Sequence, residues 1–128
     1  MKEQEIKVLK VEPGKPPKVV VLKNELAALQ EAVSIGADYR GLIEIVELDA
    51  NTCILCNEEG KLIGLKPNRR FGQDILCGVF YVTGQDGEGN LCSLNDAALE
   101  KYAKAFAMPE LFTDGEVDKT IVTRFFLM

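Results

Sequence analysis

The 128-residue chain contains no histidine and no tryptophan, and only two serines, Ser34 and Ser93. The missing histidine excludes His-based triads, a His general base and His metal ligands. Any acid–base chemistry is left to carboxylates, lysine, tyrosine or cysteine. Long apolar runs are missing as well. The longest, ILCGVFYV at residues 75–82, is far short of the roughly 20 residues a membrane-spanning helix needs. The opening MKEQEIKVLK carries no apolar stretch of the signal-peptide kind, so a cytosolic protein with reduced thiols is expected and no membrane partner. The net charge of −5 lacks the basic footprint of a nucleic-acid binder. The charge is also uneven. Residues 1–40 carry seven basic and six acidic side chains, and residues 81–128 carry four and eight.

A chain of this length reads as one domain that buries enough surface to fold without a disulfide or metal staple. EIKVLKVE (5–12) alternates as a strand, PGKPP (13–17) is a turn, and KVVVL (18–22) returns antiparallel. Asn24 is the expected N-cap of a helix to about Ser34, with Gly36 as its stop. GLIEIVEL (41–48), TCILC (52–56) and KLIGL (61–65) read as a three-strand meander, with Gly60 placed for a left-handed turn. KPNRRFGQD (66–74) is then a polar loop, and ILCGVFYVTG (75–84) one buried strand. QDGEGN (85–90) is a turn, its calcium-loop likeness broken by Leu91 and Ala97 at the positions that need Gly and Glu. A second helix follows, capped by Ser93 with Asp96 or by Asn95, with Leu99, Tyr102, Ala103 and Phe106 on one face. TIVTRFFLM (120–128) closes as a strand. The expected fold is α+β, a largely antiparallel sheet with both helices packed on one face.

The four cysteines match a zinc site in number only. Cys53 and Cys56 sit three apart in a strand, so their side chains point to opposite faces and cannot share an ion. Core thiols are expected, with no metal and no cofactor. Glu44 and Glu47 fall on opposite faces in the same way and do not form a catalytic pair.

The best candidate for a functional surface is LKPNRRF (65–71), where Lys66, Asn68, Arg69 and Arg70 form a basic cluster in an acidic chain. Arginines on a turn clamp phosphates or carboxylates in bidentate fashion. The plainer alternative has one arginine tying down loop carbonyls or pairing with an acid while the other is solvated.

The segments VLKVEPGKPPKVVVL, CNEEGKLIGLKPNR, DILCGVFYVTG and SLNDAALEKYAKAF together resemble a bacterial family, domain of unknown function 3846, over about residues 6–110. Pro67, Asn68 and Arg69 match its pattern, and Lys66 departs from it. The resemblance implies an origin in Gram-positive bacteria, their phages or conjugative elements, and an accessory role there. It implies no activity, and it leaves the tail at 111–128 outside.

The leading expectation is a small cytosolic accessory protein that binds a protein or a small anionic ligand through Lys66, Asn68, Arg69 and Arg70. On that reading Arg69→Glu with Arg70→Glu abolishes capture without unfolding the chain. An enzyme working through carboxylates and Arg69 is one alternative. A homo-oligomer joined through the C-terminal strand is the other.

Overall fold

A computed structural model describes residues 3–113 and 115–117. Its main sheet runs in the order β2-β1-β7-β4-β3, with a short β8 paired to β7, and every pairing is antiparallel. The strands are β1 (Glu5–Val11), β2 (Lys18–Lys23), β3 (Ile43–Asp49), β4 (Thr52–Asn57), β7 (Phe80–Gln85) and β8 (Leu91–Cys92). A separate two-stranded sheet joins β5 (Pro67–Phe71) to β6 (Asp74–Cys77). The helices are α1 (Leu26–Ala32) and α2 (Asp96–Ala105), with a further helical turn at 115–117. The α+β class and the antiparallel sheet are as expected.

The two helices do not share a face. Side chains alternate along each strand, so Ile6, Val8, Cys53, Leu55 and Tyr81 pack with Leu29 and Val33 of the α1 region. Leu9, Val11, Ile54, Cys56, Phe80 and Val82 pack with Tyr102 and Phe106 of the α2 region. The expectation of one covered face is therefore corrected. The strand containing TCILC is buried at every position, four of the five residues being apolar, which is the mark of a sheet covered on both sides. The same alternation separates Cys53 from Cys56, which lie in different core clusters. Burial pushes the Cys53 thiol up to about 11.

Three local readings change. KLIGL is a helical turn, ended where the Leu65 amide donates to the Gly60 carbonyl (2.9 Å) and the Gly64 amide to the Lys61 carbonyl (3.2 Å). That pair of bonds is a Schellman motif with Gly64, at φ +77°, in the left-handed position. Gly60 is not left-handed; it is needed because a Cβ there would stand 2.6 Å from the Cys77 carbonyl oxygen. KPNRRFGQD is not a loop but most of a hairpin. ILCGVFYVTG is two strands, cut where Gly78 turns the chain at φ +87° and passes it from the small sheet to the centre of the large one.

Asn24 does not cap α1. It is buried, and its Nδ2 donates to the Glu3 carbonyl (2.9 Å) and the Leu91 carbonyl (3.3 Å). Asn95 caps α2 by accepting from the Ala98 amide (2.8 Å). Ser93 instead joins α2's approach to β1, its Oγ accepting from the Lys7 amide (2.9 Å). The strand expected at 120–128 lies outside the described residues, as does the oligomer built on it. No helix among the described residues is long and apolar enough to cross a membrane.

Candidate functional site

The four basic-cluster residues separate into three environments. Asn68 and Arg69 are 0% and 1% exposed, in spite of being the most polar part of the segment. The Asn68 Nδ2 donates to the carbonyls of Val11 (2.8 Å) and Gly78 (2.9 Å). The Arg69 guanidinium donates to the Lys15 carbonyl (2.7 Å), the Phe106 carbonyl (3.2 Å), and the carbonyl and Oδ1 of Asn68 (3.1 and 2.7 Å). Four acceptors arranged around one planar fork are what makes a buried guanidinium tolerable. Burial pulls its pKa below the ordinary value, opposed by the Glu110 charge. One side chain thus bonds the β1–β2 turn, the end of α2 and its own strand.

Arg70 is half exposed and already engaged. Its Nη2 lies 2.8 Å from Glu116 Oε1, its Nε 3.5 Å from Glu110 Oε1, and its guanidinium carbon 4.9 Å from the centre of the Phe112 ring. Lys66 is exposed and makes no ion pair among the described residues. The binding surface expected of the four residues together is therefore not one surface.

Lys66 lines a cleft of about 360 Å³. Glu12 and Lys15 of the β1–β2 turn, Ile35, Leu65 and Val79 line it too. Its three glycines, Gly36, Gly64 and Gly78, all have φ between +77° and +88°. A Cβ on Gly78 would meet Leu65 Cδ1 at 2.8 Å, so this glycine is what admits the Leu65 side chain to the cleft wall. The buried pair stands behind the same walls, because it holds the Lys15 and Gly78 carbonyls. Asn68 and Arg69 are thereby positioning residues for the cleft, and Lys66 is the member of the four that borders it.

Electrostatically the cleft mouth is positive. Glu12 is surrounded by Lys10 (3.1 Å), Lys15 (3.1 Å) and Lys18 (3.5 Å). Hydrogen bonds from Lys10 and then Lys15 pull the Glu12 carboxyl down to about 2. With Lys66 beside them, lysines outnumber the single carboxylate. The Lys10 and Lys18 side chains belong to paired positions of β1 and β2. That is a like-charge pair which Glu12 bridges.

A second cavity, of about 240 Å³, lies beside the start of α2 and is lined by Asn51, Asp86, Cys92 and Asn95 with no lysine or arginine. Burial raises the Cys92 thiol, and the Glu3 and Asp86 charges add to the effect. That direction is the opposite of an activated nucleophile. No group of three or more Cys, Asp or Glu side chains among the described residues is arranged to hold a metal ion.

Sequence reasoning missed Glu12, Lys15, Ile35 and the three glycines. The usable signal was PGKPP, a turn rich in proline, whose neighbours across the cleft come from glycine-containing segments at 35–36, 64–66 and 78–79.

The geometry defines an α+β domain in which a buried Asn–Arg pair braces the walls of a lysine-bordered cleft. A family model matches residues 6–107, from β1 to just past α2, and the chain belongs to that family, described as a domain of unknown function (DUF3846). No curated protein and no solved structure matches the chain.

Proposed function

We propose that the protein works by binding, as a cytosolic accessory protein of a bacterial mobile element or phage, and that its ligand is a small anion with an apolar body. The observation that carries this reading is the cleft. Its volume falls in the range of small-molecule sites, Ile35, Leu65 and Val79 supply an apolar surface, and Lys15 and Lys66 stand at its border. Lysine is a flexible point charge, suited to catching a phosphate or carboxylate without fixed bidentate geometry. The bracing pair behind the walls supports the reading further, since a pre-formed site needs its supporting residues locked. Its setting in a mobile element rests on the family resemblance alone.

Adenosine monophosphate, which carries a phosphate and a flat aromatic base on one ribose, and inorganic phosphate are the probes. Titration of the 15N-labelled protein is expected to shift the amides of Gly36, Gly64, Lys66 and Gly78 with the nucleotide and less with phosphate. Lys66→Glu combined with Lys15→Gln is expected to remove those shifts while the remaining spectrum stays in place. Unmoved cleft amides with both probes at millimolar concentration, or equal shifts in the variant, would sink the proposal.

A further inference from the structure

Beyond α2 the chain turns at Ala107–Pro109 and runs back over the β5–β6 hairpin. This strap lies past the family-matched region, which ends at 107. The Arg70 amide donates to Glu110 Oε2 (2.9 Å), and its guanidinium reaches Glu110 and Glu116 while covering the Phe112 ring. Phe112 and Val117 pack on the apolar cluster of Leu65, Ile75 and Cys77. Thr113 and Glu116 form a reciprocal capping pair: the Thr113 amide donates to Glu116 Oε2 (2.8 Å) and the Glu116 amide to Thr113 Oγ1 (3.2 Å). Among the described residues the strap meets the hairpin through side chains and the Arg70 amide, and no strand pairing joins the two. Leu111 within it is 96% exposed.

We infer that the outer face of the β5–β6 hairpin is a peptide-docking surface, and that the strap is its resident occupant. The partner it fits is a segment of another protein with two carboxylates flanking an aromatic residue. The spacing is that of Glu110, Phe112, Glu116 and Val117: acid, one residue, aromatic, three residues, acid, apolar. Arg70 is the centre of recognition because it serves both carboxylates and the ring at once. Ile75 and Cys77 supply the apolar floor, which explains why the face is not left bare. An incoming segment competes with the strap, so affinity in trans is lowered by the fraction of time the strap is down.

The test uses the full chain and a fluorescent peptide with the sequence of residues 108–117, read by anisotropy. Glu110→Gln with Glu116→Gln weakens the strap and is expected to raise peptide affinity roughly tenfold over wild type. Adding Arg70→Glu is expected to abolish binding. Equal affinity in wild type and the weakened-strap chain, binding that survives Arg70→Glu, or no binding to any of them overturns the inference. Hydrogen exchange on the wild type checks it without any substitution. The Arg70 amide, bonded to the strap, should exchange ahead of the β1–β7 ladder. Exchange in step with that ladder would make the strap an integral part of the fold and would also overturn the inference.

Discussion

Arg69 allows a quantitative prediction that runs against substitution tables. Replacing it with methionine keeps most of the volume and removes a buried charge, but leaves acceptors on Lys15, Phe106 and Asn68 without their donor. Each orphaned buried acceptor costs about 1–3 kcal/mol. Relief of the desolvated charge returns part of that, so the net loss for Arg69→Met is about 2–3 kcal/mol. Lysine keeps the charge and its desolvation, yet a single ammonium cannot reach the carbonyls of the β1–β2 turn and the α2 end together. Arg69→Lys is therefore expected to lose about 3–4 kcal/mol, more than methionine. Glutamate would set a carboxylate among four oxygen acceptors and unfold the domain. Arg69→Glu with Arg70→Glu is therefore expected to unfold the domain, against the sequence-based expectation that it leaves the fold intact, because Arg69 is buried. Urea unfolding followed by far-UV circular dichroism measures the series, and a loss of about 3 kcal/mol lowers the midpoint by about 1–2 M. Equal midpoints for wild type and Arg69→Met, or lysine milder than methionine, would refute the bracing role.

Glu12 predicts a pH signature. Its folded pKa, about 2, lies below the ordinary 4.5, so its stabilisation is complete above about pH 4.5 and is lost as pH falls toward 2. Glu12→Gln should cost about 1–2 kcal/mol near neutrality, a figure reduced because the Lys15 and Lys18 partners are more than half exposed. A gap between variant and wild type that persists unchanged at pH 2 would contradict this. Tyr102 donates to Asp49 Oδ2 at 2.5 Å, tying α2 to the end of β3. Burial and then that bond raise its phenol to about 12. Tyr102→Phe should cost about 1–2 kcal/mol, visible as a lower melting temperature, and an unchanged one would deny the tie. Gly78→Ala forces a left-handed residue and a clash with Leu65, so a loss of about 2 kcal/mol or more is expected by thermal melting.

What could be read in advance followed from period. The strands at 5–11 and 18–23 and the helix ending near Phe106 are set by local alternation or a 3.6-residue repeat, and the strand at 52–57 by an uninterrupted buried run. Their class was legible in the sequence, as was the β1–β2 pairing, but the strand expected beside β4 at 61–65 is a turn and β7 takes that place. The helices' placement on opposite faces was legible too, in the consecutive apolar residues of CILC, but a count of helices does not reveal it. The break at Gly78 was hidden because one apolar run serves two sheets, and only the topology tells where it divides. Arg69 was misplaced for a related reason: charge predicts exposure until four carbonyls from distant segments converge on it. The cleft is assembled from four separate segments, at residues 12–15, 35–36, 64–66 and 78–79, so no local pattern contains it.

The order β2-β1-β7-β4-β3 has a consequence for how the chain acquires its structure. The β1–β2 and β3–β4 hairpins can each form from neighbouring residues. Neither can join the other until β7 arrives between them, its first residue, Phe80, lying 69 positions after Val11, where β1 ends. Until then β1 and β4 each present a bare inner edge of apolar residues, a template for unwanted pairing between chains. Closure of the sheet is a single late event of long loop closure, and the Gly78 corner is the point from which β7 swings into place. Misassembly during synthesis or refolding should therefore concentrate in chains whose β7 is slow to dock, and it should be worst for variants at that corner even when their finished structures are sound.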